Sequence, residues 1–158
     1  MTLAETLLQK LSDWRPTGDG RHSWAESFPD AGWSVRVTAD KADSLSCLLW
    51  ELSLDRTADA PEGLTLKAWA GAVASRVAGL LEDLKVVEVD ETRGEAILRS
   101  ESPASRGNAV AYYEVKLSGV SSAVVRRYQA LRGAGGRAQV AFALTHEVIA
   151  RLVGDVAG

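Results

Sequence analysis

The chain has 158 residues, 46% of them hydrophobic and 25% charged, and a formal net charge of −3. This is the balance of a single soluble domain, long enough to bury a core without metal or disulfide support. One cysteine (Cys47) excludes an internal disulfide framework, and two histidines (His22, His146) cannot close a zinc site without carboxylates. The acidic balance argues against a protein that grips nucleic acid over its whole surface.

Met1-Thr2-Leu3-Ala4-Glu5 has no basic region and carries an acid where a secretory signal is apolar. No run approaches the roughly 18 apolar residues of a membrane span. The solitary cysteine and the excess of arginine over lysine (13 against five) lead us to expect a cytoplasmic, bacterial protein.

A first helix is marked by Thr2 and Glu5, in the spacing of a capping box, and by Leu3, Leu7, Leu8, Leu11 and Trp14 at helical intervals. Pro16-Thr17-Gly18-Asp19-Gly20 ends it. The pattern then switches to period two. His22–Glu26 is a short strand, and Trp33, Val35, Val37 and Ala39 alternate with polar residues. After Asp40–Asp43, Leu48, Trp50, Leu52 and Leu54 alternate with Leu49, Glu51, Ser53 and Asp55. Three strands with short turns make an antiparallel meander.

The longest predicted helix runs from about Leu64 to Leu84. Leu66, Trp69, Val73, Val77, Leu80 and Leu84 form one stripe, while Ala68, Gly71, Ala72, Ser75 and Gly79 make the other side small. Such a helix is built for contact on both sides. Two strands follow, Lys85–Asp90 and Glu95–Ser100, joined at Glu91–Gly94 as a hairpin. Ser100–Asn108 reads as a loop, Ala109–Leu117 and Ser122–Gln129 as strands, and about Arg137–Val156 as the last helix. The expected fold is α+β, in the order α-βββ-α-ββββ-α. One domain spans residues 1–158, with an antiparallel sheet of about six to seven strands.

Candidate chemistry is thin. Thr145-His146-Glu147-Val148-Ile149-Ala150 begins like a zinc-protease helix, but Ala150 stands where the second histidine is needed. Cys47 sits among apolar residues, without the cations that lower a thiol pKa. Gly133-Ala134-Gly135-Gly136 lies where a phosphate cradle could sit before a helix, yet it lacks the G-x-G-x-x-G spacing and a P-loop lysine. No metal site, cofactor or catalytic constellation is expected.

Distribution says more than totals. Between Ser102 and His146 the only acid is Glu114, against Arg106, Lys116, Arg126, Arg127, Arg132 and Arg137. Alternation along a strand splits Arg126 and Arg127 between two faces. All five tryptophans (Trp14, Trp24, Trp33, Trp50, Trp69) precede residue 70. Trp24, Trp33 and Trp50 could line one sheet face beneath Trp69, and an exposed tryptophan would be a partner's anchor. Trp24, Trp33, Arg126 and Arg127 are therefore the candidate partner-binding residues.

The layout Ala4–Trp14, Trp24–Leu54, Leu66–Leu84, Val86–Arg99 and Val140–Val153 resembles the class I type III secretion chaperones and their relatives. The strand pair Val110–Gln129 is additional to that pattern. The resemblance implies a protein that binds a polypeptide partner without catalysis, as a homodimer formed through the central helix. Ala68, Gly71, Ala72, Ser75 and Gly79 would lie at that interface. The competing expectation is a small enzyme or ligand-binding domain that uses the arginine-rich second half on an anionic small molecule.

Overall fold

The computed structural model describes residues 1–158. Its elements are α1 (Leu3–Asp13), β1 (His22–Phe28), β2 (Trp33–Ala42), β3 (Ser46–Arg56), α2 (Leu66–Arg76), β4 (Leu84–Asp90), β5 (Glu95–Ser100), β6 (Ala104–Arg106), β7 (Ala109–Ser118), β8 (Ser122–Leu131), β9 (Ala138–Val140), β10 (Phe142–Thr145) and α3 (His146–Ala157). The fold is α+β: three helices cover one face of a wholly antiparallel sheet. The main path of that sheet is β1-β2-β3-β8-β7-β5-β4. Seven strands lie on this path, as expected, and the short β6, β9 and β10 bring the total to ten. No helix is long and apolar enough to cross a membrane.

The sheet forks between β3 and β8. Leu52–Asp55 pair with Ser122–Val125, but Ser46–Leu49 pair instead with β10, and Arg127–Gln129 with β9. The stretch from Ala138 to Thr145 fills the gap as a wedge. Gln139 Nε2 donates to the Trp50 carbonyl at 2.9 Å, tying the wedge to the fork. This corrects the expected helix start at Arg137. Backbone pairing on both sides of the wedge outweighs the helix propensity of its alanines. The helix begins only where the Thr145 hydroxyl accepts the Val148 amide.

The central helix is also shorter than its stripe. It ends at Arg76, not Leu84, and Val77 caps it through its N–H to the Val73 carbonyl. Val77, Leu80 and Leu84 are nevertheless buried at 3%, 6% and 5% exposure. An irregular strap with Gly79 in it meets the same apolar demand as a continued helix. Two contacts pin the strap to the sheet: Glu82 pairs with Arg127, and the Asp83 carbonyl accepts the Glu101 amide.

β3 carries a bulge. Thr38 faces Glu51 and Ala39 faces Leu49, leaving Trp50 as the extra residue. Cys47, Leu49, Leu52 and Leu54 thus point into the core, whereas simple alternation assigns Leu48 and Trp50 to that face. The core beneath the helices joins all three helices to the sheet through Leu7, Leu11, Val35, Val37, Val73, Leu98, Val115, Ile149 and Leu152, each without exposure. Trp69 locks α2 to α3 by donating its indole N–H to the Val156 carbonyl at 3.1 Å.

Candidate functional site

Alternation along β7 and β8 sends Tyr113, Val115, Ala123 and Val125 to the helices. It leaves Tyr112, Glu114, Val124, Arg126 and Tyr128 on the opposite, open face. The two-strand register sets Tyr112 opposite Tyr128 and Glu114 opposite Arg126. Arg99 joins from β5, and Arg137 from the segment entering the wedge.

Glu114 lies at the centre of this group and is only 5% exposed. It accepts Arg99 Nε at 3.2 Å and Arg137 Nη1 at 3.1 Å. Arg137 Nη1 also donates to the Tyr112 hydroxyl at 3.1 Å, and its guanidinium lies 3.7 Å above the Tyr128 ring. The two tyrosine rings are 6.0 Å apart. Arg126 Nε pairs with Glu51 at 3.3 Å beside the fork. Burial disfavours the charge of Arg137, but the Tyr112 and Glu114 bonds more than offset it and hold its pKa above the ordinary value. Trp50, displaced by the bulge, lies at the fork under the Arg21 guanidinium, 3.5 Å from its ring centre.

The four candidate partner-binding residues do not form one surface. Trp33 is a core residue, 3% exposed, with its ring 6.1 Å from that of Trp69. Trp24 is half-buried and packs against the core from β1. Arg126 is on the open face. Arg127 is on the helix side, where it pairs with Glu82 at 3.1 Å and lies 4.3 Å over Tyr113. The split expected of this pair is observed, so the arginine-rich half forms no single patch. Trp50, not Trp24 or Trp33, is the tryptophan on the open face.

The small residues of the central helix also separate. Ala68, Gly71 and Ser75 are exposed on α2 and Ala72 is half-buried. Gly79 lies beyond the helix, facing Val148 and Arg151 of α3.

The remaining reactive groups lie away from the open-face group, with Cys47 and His146 sharing Asp43 and Arg15 as charged neighbours. Cys47 is buried, and burial followed by the nearby Asp43 carboxylate pushes its thiol up to about 11. A neutral thiol is a poor nucleophile. His146 is buried, with burial and then Arg15 lowering its pKa, and its Nε2 has no hydrogen-bond partner. His22 Nε2 is 3.1 Å from the Gly18 carbonyl. No three His, Cys, Asp or Glu side chains gather as a metal site. Gly133–Gly136 connects β8 to a strand and not to a helix, so no helix N-terminus faces it.

Sequence reasoning passed over Tyr112, Arg99 and the role of Glu114. Part of the signal was present: a hairpin turning at Gly119–Ser121 places Glu114 opposite Arg126. Arg99 and Arg137 reach Glu114 only through the sheet order. The chain matches no protein-family model, no curated protein and no solved structure.

Proposed function

We propose that this chain is a non-catalytic, cytoplasmic binding protein that holds a polypeptide partner on the open face of its sheet. The observation that carries this reading is the arginine–aromatic group of Arg99, Arg126, Arg137, Tyr112 and Tyr128, flanked by Trp50. Tyrosine, tryptophan and arginine are the residue types that dominate binding hot spots. Three guanidinium groups against the two carboxylates of Glu51 and Glu114 favour an acidic segment in the partner. The group's centre, Tyr112, Glu114, Arg126 and Tyr128, is on β7 and β8, the strand pair additional to the secretion-chaperone layout. The expected mode of binding is therefore this chain's own.

Self-association belongs to the same reading. The exposed Ala68, Gly71 and Ser75 of α2 would let a second copy approach closely, and sedimentation at micromolar concentration should then give twice the monomer mass.

Site-specific photo-crosslinking in the native host tests the open face. A benzophenone side chain at Val124 or Lys116 should trap a polypeptide, and the same group at Gln9 on the outside of α1 should not. Equal trapping at Gln9, or none at the sheet positions, refutes the assignment.

A further inference from the structure

A second feature stands apart from the open face and does not depend on the reading above. Eight ion pairs account for the lysines and arginines that have a carboxylate within reach. Every lysine or arginine outside those pairs is exposed except Arg56. Arg56 is partly buried at the end of β3, and no carboxylate pairs with it.

Its surroundings fix its place. The guanidinium lies 4.3 Å over the Trp33 ring and 5.8 Å from that of Trp69, and its Nε donates to the Val120 carbonyl at 3.0 Å. Its neighbour Asp55 is engaged elsewhere, accepting the Ser122 hydroxyl at 2.7 Å. Neither Nη atom of Arg56 has a hydrogen-bond partner, and neither is sealed from solvent. Burial lowers its pKa from the ordinary value, with no counter-charge to offset it. An arginine remains a cation even so.

Arg56 borders a cleft of about 630 Å³. Its walls come from the start of α1 (Leu3, Ala4), the turn after β1 (Ala31), the loop after β3 (Pro61) and the end of α3 (Ala157). The wall at Ala31 depends on Gly32. With φ of +77°, Gly32 offers its carbonyl to the Thr57 amide at 2.8 Å, and a Cβ there would lie 2.9 Å from the Ala58 Cβ. Only glycine lets the turn lie so close to the loop. The size is that of a small-ligand site, and its apolar side chains (Leu3, Ala4, Ala31, Trp33, Pro61 and Ala157) are bordered by Thr2, by Gly154 and Gly158, and by one side-chain cation, Arg56.

We propose that this cleft binds a small amphiphilic carboxylate, its acid group on the Nη atoms of Arg56 and its apolar body against Leu3, Ala31, Pro61 and Ala157. A single guanidinium matches a single carboxylate in charge and in its forked geometry. Trp33 and Trp69 hold the guanidinium plane before the ligand arrives, which reduces the entropy lost on binding.

Isothermal titration of the full chain with octanoate, 1-octanol and acetate tests this. Octanoate should bind at one saturable site, with the Trp33 indole resonance moving in a parallel NMR titration. Octanol should bind at least about tenfold more weakly, because it lacks the charge-assisted bonds, and acetate should show no saturation. Arg56→Gln should bring octanoate down to the level of octanol. Ala157→Leu, which fills the cleft and leaves the charge alone, should weaken both. Equal affinity for octanoate and octanol in the unaltered chain overturns the proposal, as does the absence of saturable binding by either. An unchanged acid preference in Arg56→Gln overturns it too. If Arg56→Gln does not fold, the acid–alcohol comparison and Ala157→Leu decide.

Discussion

Arg137 and Arg56 both lie over aromatic rings, yet they serve different ends of the molecule. Arg137, on the open face, shares its Nη1 between the Glu114 carboxylate and the Tyr112 hydroxyl and lies 3.7 Å above Tyr128. Arg56, beneath the helix ends, has Trp33 at 4.3 Å and one backbone carbonyl, with both Nη atoms free. The first arrangement is closed and the second is open. A guanidinium answered by a buried carboxylate binds strands together and shapes a surface. One left unanswered above two tryptophans is a receptor for a charge brought from outside. Counting arginines by segment misses this, because Arg56 lies in the half of the chain that looks acidic.

The largest expected effect is at the platform under Arg56. Trp69→Ala removes a ring that is 2% exposed along with its bond to Val156, and should cost about 3–5 kcal/mol in urea denaturation. It should also abolish octanoate binding. Retention of both stability and binding would break the account of the seat.

Burial without a charge partner governs Cys47 as well, with the opposite sign of charge. Its thiol ionises around 9.0 in the unfolded chain but only at about 11 in the folded one. Between those values the unfolded chain gives up its proton first, so stability falls as pH rises, by roughly 2 kcal/mol in all. Cys47→Ala should flatten that part of the pH profile relative to the unaltered chain. Matching slopes would show that the thiol is not sheltered.

Glu114→Gln and Arg56→Gln test the contrast itself. The first leaves Arg99 and Arg137 without their anion and should cost about 1–3 kcal/mol. The second gives up a cation–π contact and one bond to a carbonyl, about 1 kcal/mol. Equal losses in denaturant would erase the distinction between the closed and the open arginine.

The smallest effect is at Gly71, which is exposed on α2 with open space where a Cβ would be. Gly71→Ala should raise monomer stability by about 0.5–1 kcal/mol. If α2 meets a second copy there, the added methyl should also weaken the dimer in sedimentation.

Much of the fold was legible because its local rules agree. The Thr2–Glu5 box caps α1 in both directions, the strands β1 and β2 pair and alternate as their residues demand, and Glu91–Gly94 turns between β4 and β5. The stripe from Leu66 to Leu84 correctly named six buried residues but not their conformation, since burial every three or four residues suits a strap as well as a helix. Trp50 changed face because one extra residue in β3 reverses the alternation. The wedge from Ala138 to Thr145 was illegible because its partners are the two arms of a fork in the sheet, far away in the chain. The same holds for the sites. The split of Arg126 from Arg127 follows from period two alone. The lack of a carboxylate near Arg56 depends on where every acid in the chain comes to rest.

The most direct test of the contrast is the urea midpoint with and without octanoate, in the unaltered chain, Arg126→Gln and Arg56→Gln. A ligand that binds only the folded state raises the midpoint as the logarithm of one plus its concentration over its Kd. A rise is expected in the first two, and a much smaller one in Arg56→Gln, matching its binding at the level of octanol. The same rise in all three, or loss of the rise in Arg126→Gln alone, would contradict this expectation.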